Sequence, residues 1–199
     1  DRFAGKPMNE LVGANMSFGR HVLKDVPWFD VELDPGALGY GGETLFSLQL
    51  FRAGYRLEAR LDIAVEHHFD PQRLTRESLL HAATQFGRTW AYLAYHWRHE
   101  NIDNAYRRYA RAWLRLWYWR ASRISECRRA EGCPEWEMHM LQDLHSLKGY
   151  FKERTRCRNY APRGLVKLDN SNGTSIDHCL HAQSRGEPAR HIAGNAECA

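Results

Sequence analysis

The chain has 199 residues, 43% of them hydrophobic and 26% charged, with a formal net charge of +4. That length allows one ordinary domain with appendages, and that balance is globular rather than disordered. No stretch approaches the roughly 18 apolar residues of a membrane span, and no signal peptide opens the chain, so the expected location is cytoplasmic. Mild basicity fits a phosphate-bearing ligand, an anionic membrane surface or a nucleic acid and selects none of them. Cys127, Cys133, Cys157, Cys179 and Cys198 are odd in number and match no zinc spacing; they are expected to be reduced thiols. The chain opens on Asp1, and residues 1–11 read as mid-protein sequence, so the chain is expected to be a fragment.

The run LVGANMSF, Leu11 to Phe18, is short and apolar and predicts a buried strand ending close to a ligand or another backbone. His21 to Val26 predicts one or two helical turns. Pro27 to Gly42 is rich in Pro, Gly and Asp and predicts a loop. Leu45, Leu48 and Phe51 then recur at helical spacing before Gly54, which predicts a helix over 43–53. From Leu57 to Val65, apolar residues alternate with Arg56, Glu58, Arg60 and Asp62, the pattern of a half-buried strand ending at His67. Thr75 predicts the start of a helix reaching about His99. Further helices are predicted over 101–129 and 135–152. Residues 154–199 carry Gly, Asn, Ser, Arg and His without a period and read as loop or disorder. The domain reading is therefore 1–72, a helical appendage over 73–153, and a tail over 154–199.

Chemistry concentrates where the loop ends in Gly41-Gly42-Glu43 and opens the first helix. The glycines let the backbone approach a ligand closely. Glu43 falls in the first helical turn, where the macrodipole favours a carboxylate, and a carboxylate can take the proton of an attacking hydroxyl. His67, just past the alternating run, offers an imidazole to a divalent metal.

The order Gly13 to Phe18, Phe29-Asp30, Gly41 to Glu43, Ala53-Gly54-Tyr55 and Val65 to His67 resembles the C-terminal half of the family-two glycosyltransferases. That family shows Gly-Asn-Met-Ala-Phe-Arg-Arg, a Phe-Asp with a Gly-rich loop, an acidic pair, a Leu-rich helix ending Ala-Gly-Tyr, and Val-x-His. The resemblance covers about a third of the chain. It implies an α/β fold, the C-terminal half of a Rossmann-like nucleotide-diphospho-sugar transferase followed by a helical extension. It implies transfer, in the inverting sense, of a sugar from a nucleotide-diphosphate donor to a glycan or lipid-linked saccharide, with Glu43 as base. Gly13, Ala14, Asn15, Trp28, Tyr40, Gly41 and Gly42 would bind the acceptor. His67 would add a ligand to a Mg or Mn ion held mostly by an N-terminal half that this chain does not show. Two departures stand out. Gly42 occupies the place of the family's first acid, as in the Gly-Gly-Glu of the retaining polypeptide N-acetylgalactosaminyltransferases, and no Asp-x-Asp precedes Gly13. The chain alone is therefore expected to be inactive.

Over 101–125, Arg107, Arg108, Arg111 and Arg115 are predicted on one helix face, with Ile102, Tyr106, Tyr109, Trp113 and Trp117 opposite. That pattern fits either a helix packed on its neighbour with a solvated Arg face or one lying on the inner surface of a membrane. No nucleic-acid module accompanies the arginines, so nucleic acid is not an expected partner. The rival functional readings are a non-catalytic remnant of a glycosyltransferase and a helical membrane-surface binding protein.

Overall fold

A computed structural model describes residues 6–60, 63–66, 68, 70–129 and 131–168. Five α-helices follow in order: α1 (Gly42–Arg52), α2 (Arg76–Tyr92), α3 (Ala105–Ser122), α4 (Ile124–Cys127) and α5 (Glu135–Glu153). A single antiparallel ladder of two residues per strand, β1 (Lys6–Pro7) with β2 (Glu58–Ala59), is the whole strand content of the described residues.

This overturns the α/β expectation: the described chain is helical, with no Rossmann-like sheet. The reason lies in partners. The alternating run past Leu57 pairs only at Glu58–Ala59, and Ile63 and Val65 are about half exposed, with no second layer to cover them. Residues 11–18 form a turn closed by the Asn15 N–H donating to the Val12 carbonyl, not a buried strand. A period of two cannot make a sheet without neighbouring strands to satisfy its backbone.

The helices follow the sequence more closely. Thr75 caps α2, its hydroxyl accepting the Ser78 N–H. α2 then runs into a π-helical turn, Leu93–Trp97, whose five residues are all buried. The widened turn carries His96 and Trp97 inward together. The helix predicted over 101–129 breaks at Arg123, giving α3 and the single turn α4.

α2 and α5 pack along most of their length because two glycines let the backbones meet. A Cβ on Gly87 would stand 2.4 Å from the Gln142 carbonyl oxygen, and one on Gly149 would stand 2.8 Å from Ala91 Cβ. α3 lies on α5 through Leu116, Tyr109 and Ala112, which join Leu141 and Leu144. An ion cluster crosses the same bundle. Glu137, fully buried, accepts two hydrogen bonds from Arg76 at 2.6 Å and one from Arg120 Nε at 2.7 Å.

α1 packs two ways. Leu45 joins Tyr92, Leu93, Trp97 and Leu33, while Phe46 and Leu50 join Val22, Val26 and Leu57. Residues 154–168, expected as loop or disorder, contain no helix but are not loose. Tyr160 and Asn159 are buried, and the Gly164 carbonyl accepts from Trp97 Nε1 at 2.9 Å. Residues 169–199 lie outside the described residues. No described helix is long and apolar enough to cross a membrane. Cys127 and Cys133 are free thiols, whereas Cys157 is disulfide-bonded, contrary to the expectation of reduced thiols; sequence spacing alone does not encode pairing.

Candidate functional site

Glu43 is the second residue of α1, and the helix start is set by the backbone before it. Gly41 caps the helix at φ 87°, a left-handed conformation suited to glycine. It also lies directly against α2, since a Cβ there would meet Thr89 Cγ2 at 2.3 Å. The Thr89 hydroxyl donates to the Tyr40 carbonyl at 3.0 Å and fixes the loop end.

The segment across from Glu43 is pinned by Ser47. Its hydroxyl donates to the Glu43 carbonyl at 2.7 Å and accepts the Leu11 N–H at 2.9 Å. The turn that follows Leu11 brings Gly13 onto the Glu43 side chain. A Cβ on Gly13 would lie 2.1 Å from Glu43 Oε1, so a side chain there would displace the carboxylate from this position. Thr44, the next residue of α1, donates its hydroxyl to the Glu10 carboxylate and holds the same segment.

Glu43, Gly13, Gly42 and Tyr40 line one cleft of about 250 Å³, together with Met16, Phe29 and Asp34. Four of the sequence-predicted residues thus meet. Gly41 stands behind them as the helix cap. Ala14 and Asn15 do not line the cleft; they are exposed on the turn, where the Asn15 side chain donates to the Ile63 carbonyl at 2.9 Å. Trp28 is 61% exposed and also stands outside it. His67 lies outside the described residues. No group of three or more His, Cys, Asp or Glu among the described residues is placed to share a metal ion.

Asp34 is the cleft residue that sequence reasoning missed. Its Oδ1 lies 3.7 Å from the position a Gly42 Cβ would take. The signal was available only in three dimensions, because the loop 31–40 must fold back on α1 to bring it there.

Beneath the cleft is a buried polar cluster centred on Asp30. Asp30 Oδ2 accepts the hydroxyls of Tyr92 at 2.5 Å and Tyr160 at 2.7 Å. Oδ1 accepts the Lys167 ammonium at 2.6 Å and the Glu32 N–H at 3.1 Å. Burial would raise the Asp30 carboxyl, but hydrogen bonds from Lys167, Tyr92, Tyr160 and the Glu32 amide outweigh it and hold it below the ordinary carboxylate range. Tyr92 and Tyr160 are pushed above the ordinary phenol range, first by burial and then by Asp30. Glu32 extends the cluster, accepting from Lys167, Asn159 and Arg156. Arg156 also bridges to Glu153, which accepts from His96 Nε2 at 3.0 Å. The Asn159 N–H donates to His96 Nδ1 at 3.1 Å, which leaves the ring proton on Nε2.

None of the known protein families, curated proteins or solved structures matches this chain.

The depressed carboxyls fix the sign of the acid response. Their contribution is present above the unfolded carboxylate values of about 4 and is lost as pH falls through the lower folded values. Denaturant titrations should therefore show stability falling below about pH 5. Asp30→Asn should cost about 3 kcal/mol at neutral pH by breaking the buried Asp30–Lys167 pair, which leaves Lys167 with Glu32 alone, and should flatten that acid limb. An unchanged acid limb in the variant would mean that Asp30 is not a source of the pH dependence.

Proposed function

We propose that the chain carries the acceptor side of an inverting glycosyl-transfer centre in which Glu43 is the general base. The observation that carries this reading is the seating of the Glu43 carboxylate against Gly13 in a cleft that Tyr40 and Phe29 also line. It rests on these residues and their order, not on the overall fold. An acceptor hydroxyl in the cleft gives its proton to Glu43 as its oxygen attacks the anomeric carbon, and the bond to the nucleoside diphosphate breaks on the opposite side. Aromatic rings such as Tyr40 offer a flat apolar face to a sugar.

Asp34 completes the arrangement. The family pattern places two acids in sequence, and here Gly42 takes the place of the first. Asp34 Oδ1 stands beside Gly42 from another part of the chain, so the second carboxylate of the cleft comes through space. We assign it to orienting the acceptor hydroxyl toward Glu43. The donor diphosphate and its Mg or Mn ion need acidic ligands that the described residues do not bring together. The proposal therefore assigns them outside those residues, with His67 as the ligand this chain would add.

A second observation concerns where such an enzyme would work. Of the expected aromatic face of α3, Tyr109 packs on the α5 cluster and Ile102 joins Tyr150. Trp113, Leu114, Trp117 and Tyr118 instead point outward, each at least 50% exposed. Arg107, Arg111 and Arg115 are exposed on the adjoining face, where Arg111 and Arg115 also border a cavity shared with Asp143 of α5. Indole and phenol rings beside cations fit the interfacial region of an anionic bilayer, and we propose that α3 lies on such a surface, bringing the cleft to lipid-linked acceptors.

In the enzyme joined to its donor-binding half, Glu43→Gln should lower transfer by about 10²- to 10⁴-fold while donor binding persists. Transfer at the unaltered rate would remove Glu43 from the role of base. Separately, the chain should sediment with vesicles of phosphatidylcholine and phosphatidylglycerol but not with phosphatidylcholine alone. Trp113→Ala with Trp117→Ala should abolish that. Equal sedimentation of the variant, or dimerisation through this face without lipid binding, would contradict the membrane reading.

A further inference from the structure

On the other side of the 31–40 loop from the Glu43 cleft is a second cavity, of about 400 Å³. It lies between α2 and α5, and Glu32, Ala37 and Leu38 of the loop form one wall. Its size is within the range of small-ligand sites, about 300–1,000 Å³. The α5 wall is made by His145, Lys148, Gly149 and Lys152, with Arg88 of α2 facing them and Arg156 at the end. The spacing 145, 148, 149, 152 is one helix face. Gly149 lies where α5 meets Ala91 and Arg88 of α2, and it has no side chain to fill the space between the cations.

The charges of this cavity are unbalanced. Arg156 is already engaged, bridging Glu32 at 2.8 Å and Glu153 at 2.8 Å. Both carboxylates of the lining are thereby used, and Glu32 also holds Lys167 while Glu153 also holds His96. Arg88, Lys148 and Lys152 make no ion pair with a described residue; Arg88 donates only to the Gln85 side chain at 3.1 Å. Lys148 and Lys152 stand one turn apart on the same face, an arrangement that repels when nothing neutralises it. The Nδ1 of His145, whose side chain also lines the cavity, is buried without a hydrogen-bond partner. Burial, then the charges of Lys148 and Arg88, hold the His145 imidazole below its ordinary range.

We propose that the cavity between α2 and α5 binds a phosphate-bearing anion, with Arg88, Lys148 and Lys152 as its cationic ligands and His145 beside it. A guanidinium and two ammonium groups around an open floor match the several oxygens of a phosphate or diphosphate, which a neutral sugar cannot satisfy. A phosphate there also supplies the negative charge that the three unpaired cations lack. The same chemistry is offered by a soluble phosphorylated molecule and by a lipid phosphomonoester.

The test uses the full chain and the imidazole signals of His145 followed by NMR. Inorganic diphosphate should shift them saturably and raise the pH midpoint of His145, whereas sodium chloride at equal ionic strength should not. Combined Arg88→Gln, Lys148→Gln and Lys152→Gln should weaken diphosphate at least tenfold with the helical circular dichroism unchanged, and Lys152→Gln alone should weaken it less. Vesicles containing phosphatidic acid serve as the second arm. If they displace diphosphate, a lipid phosphate is the source; if they do not, it is a soluble molecule. A His145 shift that follows ionic strength alone, or undiminished diphosphate binding in the triple variant, would overturn the proposal.

Discussion

The loop 31–40 and the cavities on either side of it depend on one buried carboxylate. Asp30 is 3% exposed and receives two phenol hydroxyls, an ammonium group and a backbone amide. Those donors come from α2, from the segment after α5 and from the loop that carries Asp30 itself. An ionised group this deep is tolerated only when its lone pairs are filled. The demand for donors therefore draws three distant parts of the chain to one point, and the loop 31–40 takes its shape from where that point lies.

Both cavities inherit their geometry from this constraint. On one side the loop presents Asp34 and Tyr40 to Glu43; on the other it presents Glu32 and Leu38 to the basic face of α5. Glycine supplies the close approaches on which each cavity depends. Gly13 makes room for the Glu43 carboxylate, Gly41 lets the start of α1 touch Thr89, and Gly87 lets α2 and α5 pack closely beside the second cavity. A side chain at Gly87 would collide with the α5 backbone, and one at Gly13 or Gly41 would displace the Glu43 or Thr89 side chain.

The sequence revealed local features and concealed the long-range ones. α1, α2 and α5 were legible from apolar spacing and from the Thr75 cap, because helical hydrogen bonds are made within the segment. The strands at 11–18 and 57–65 were misread because alternation describes a face without saying whether another strand stands beside it. Gly13, Gly42 and Glu43 were singled out together by their order in a family pattern, and Tyr40 as an aromatic beside them. Asp34 was not, since its role depends on a loop folding back across α1. The Asp30 cluster joins Asp30 to Lys167 across most of the described chain, and no local pattern encodes that pairing. Tyr160 and Lys167 looked like loop because, beyond one short bridge between them, their stabilisation comes from distant partners. The aromatic stripe of α3 was legible as a stripe, but only packing on α5 divides Tyr109 from the outward Trp113 and Trp117.

The most direct test of this dependence is backbone hydrogen exchange in Lys167→Met, which removes the ammonium from Asp30 and leaves the helix pair α2–α5 untouched. The account predicts faster exchange at Leu38, Gly39 and Leu45, whose amides donate within the loop and the first turn of α1, with α5 protection unchanged. Exchange at those three amides equal to that of the unaltered protein would show that the loop holds its shape without the buried cluster.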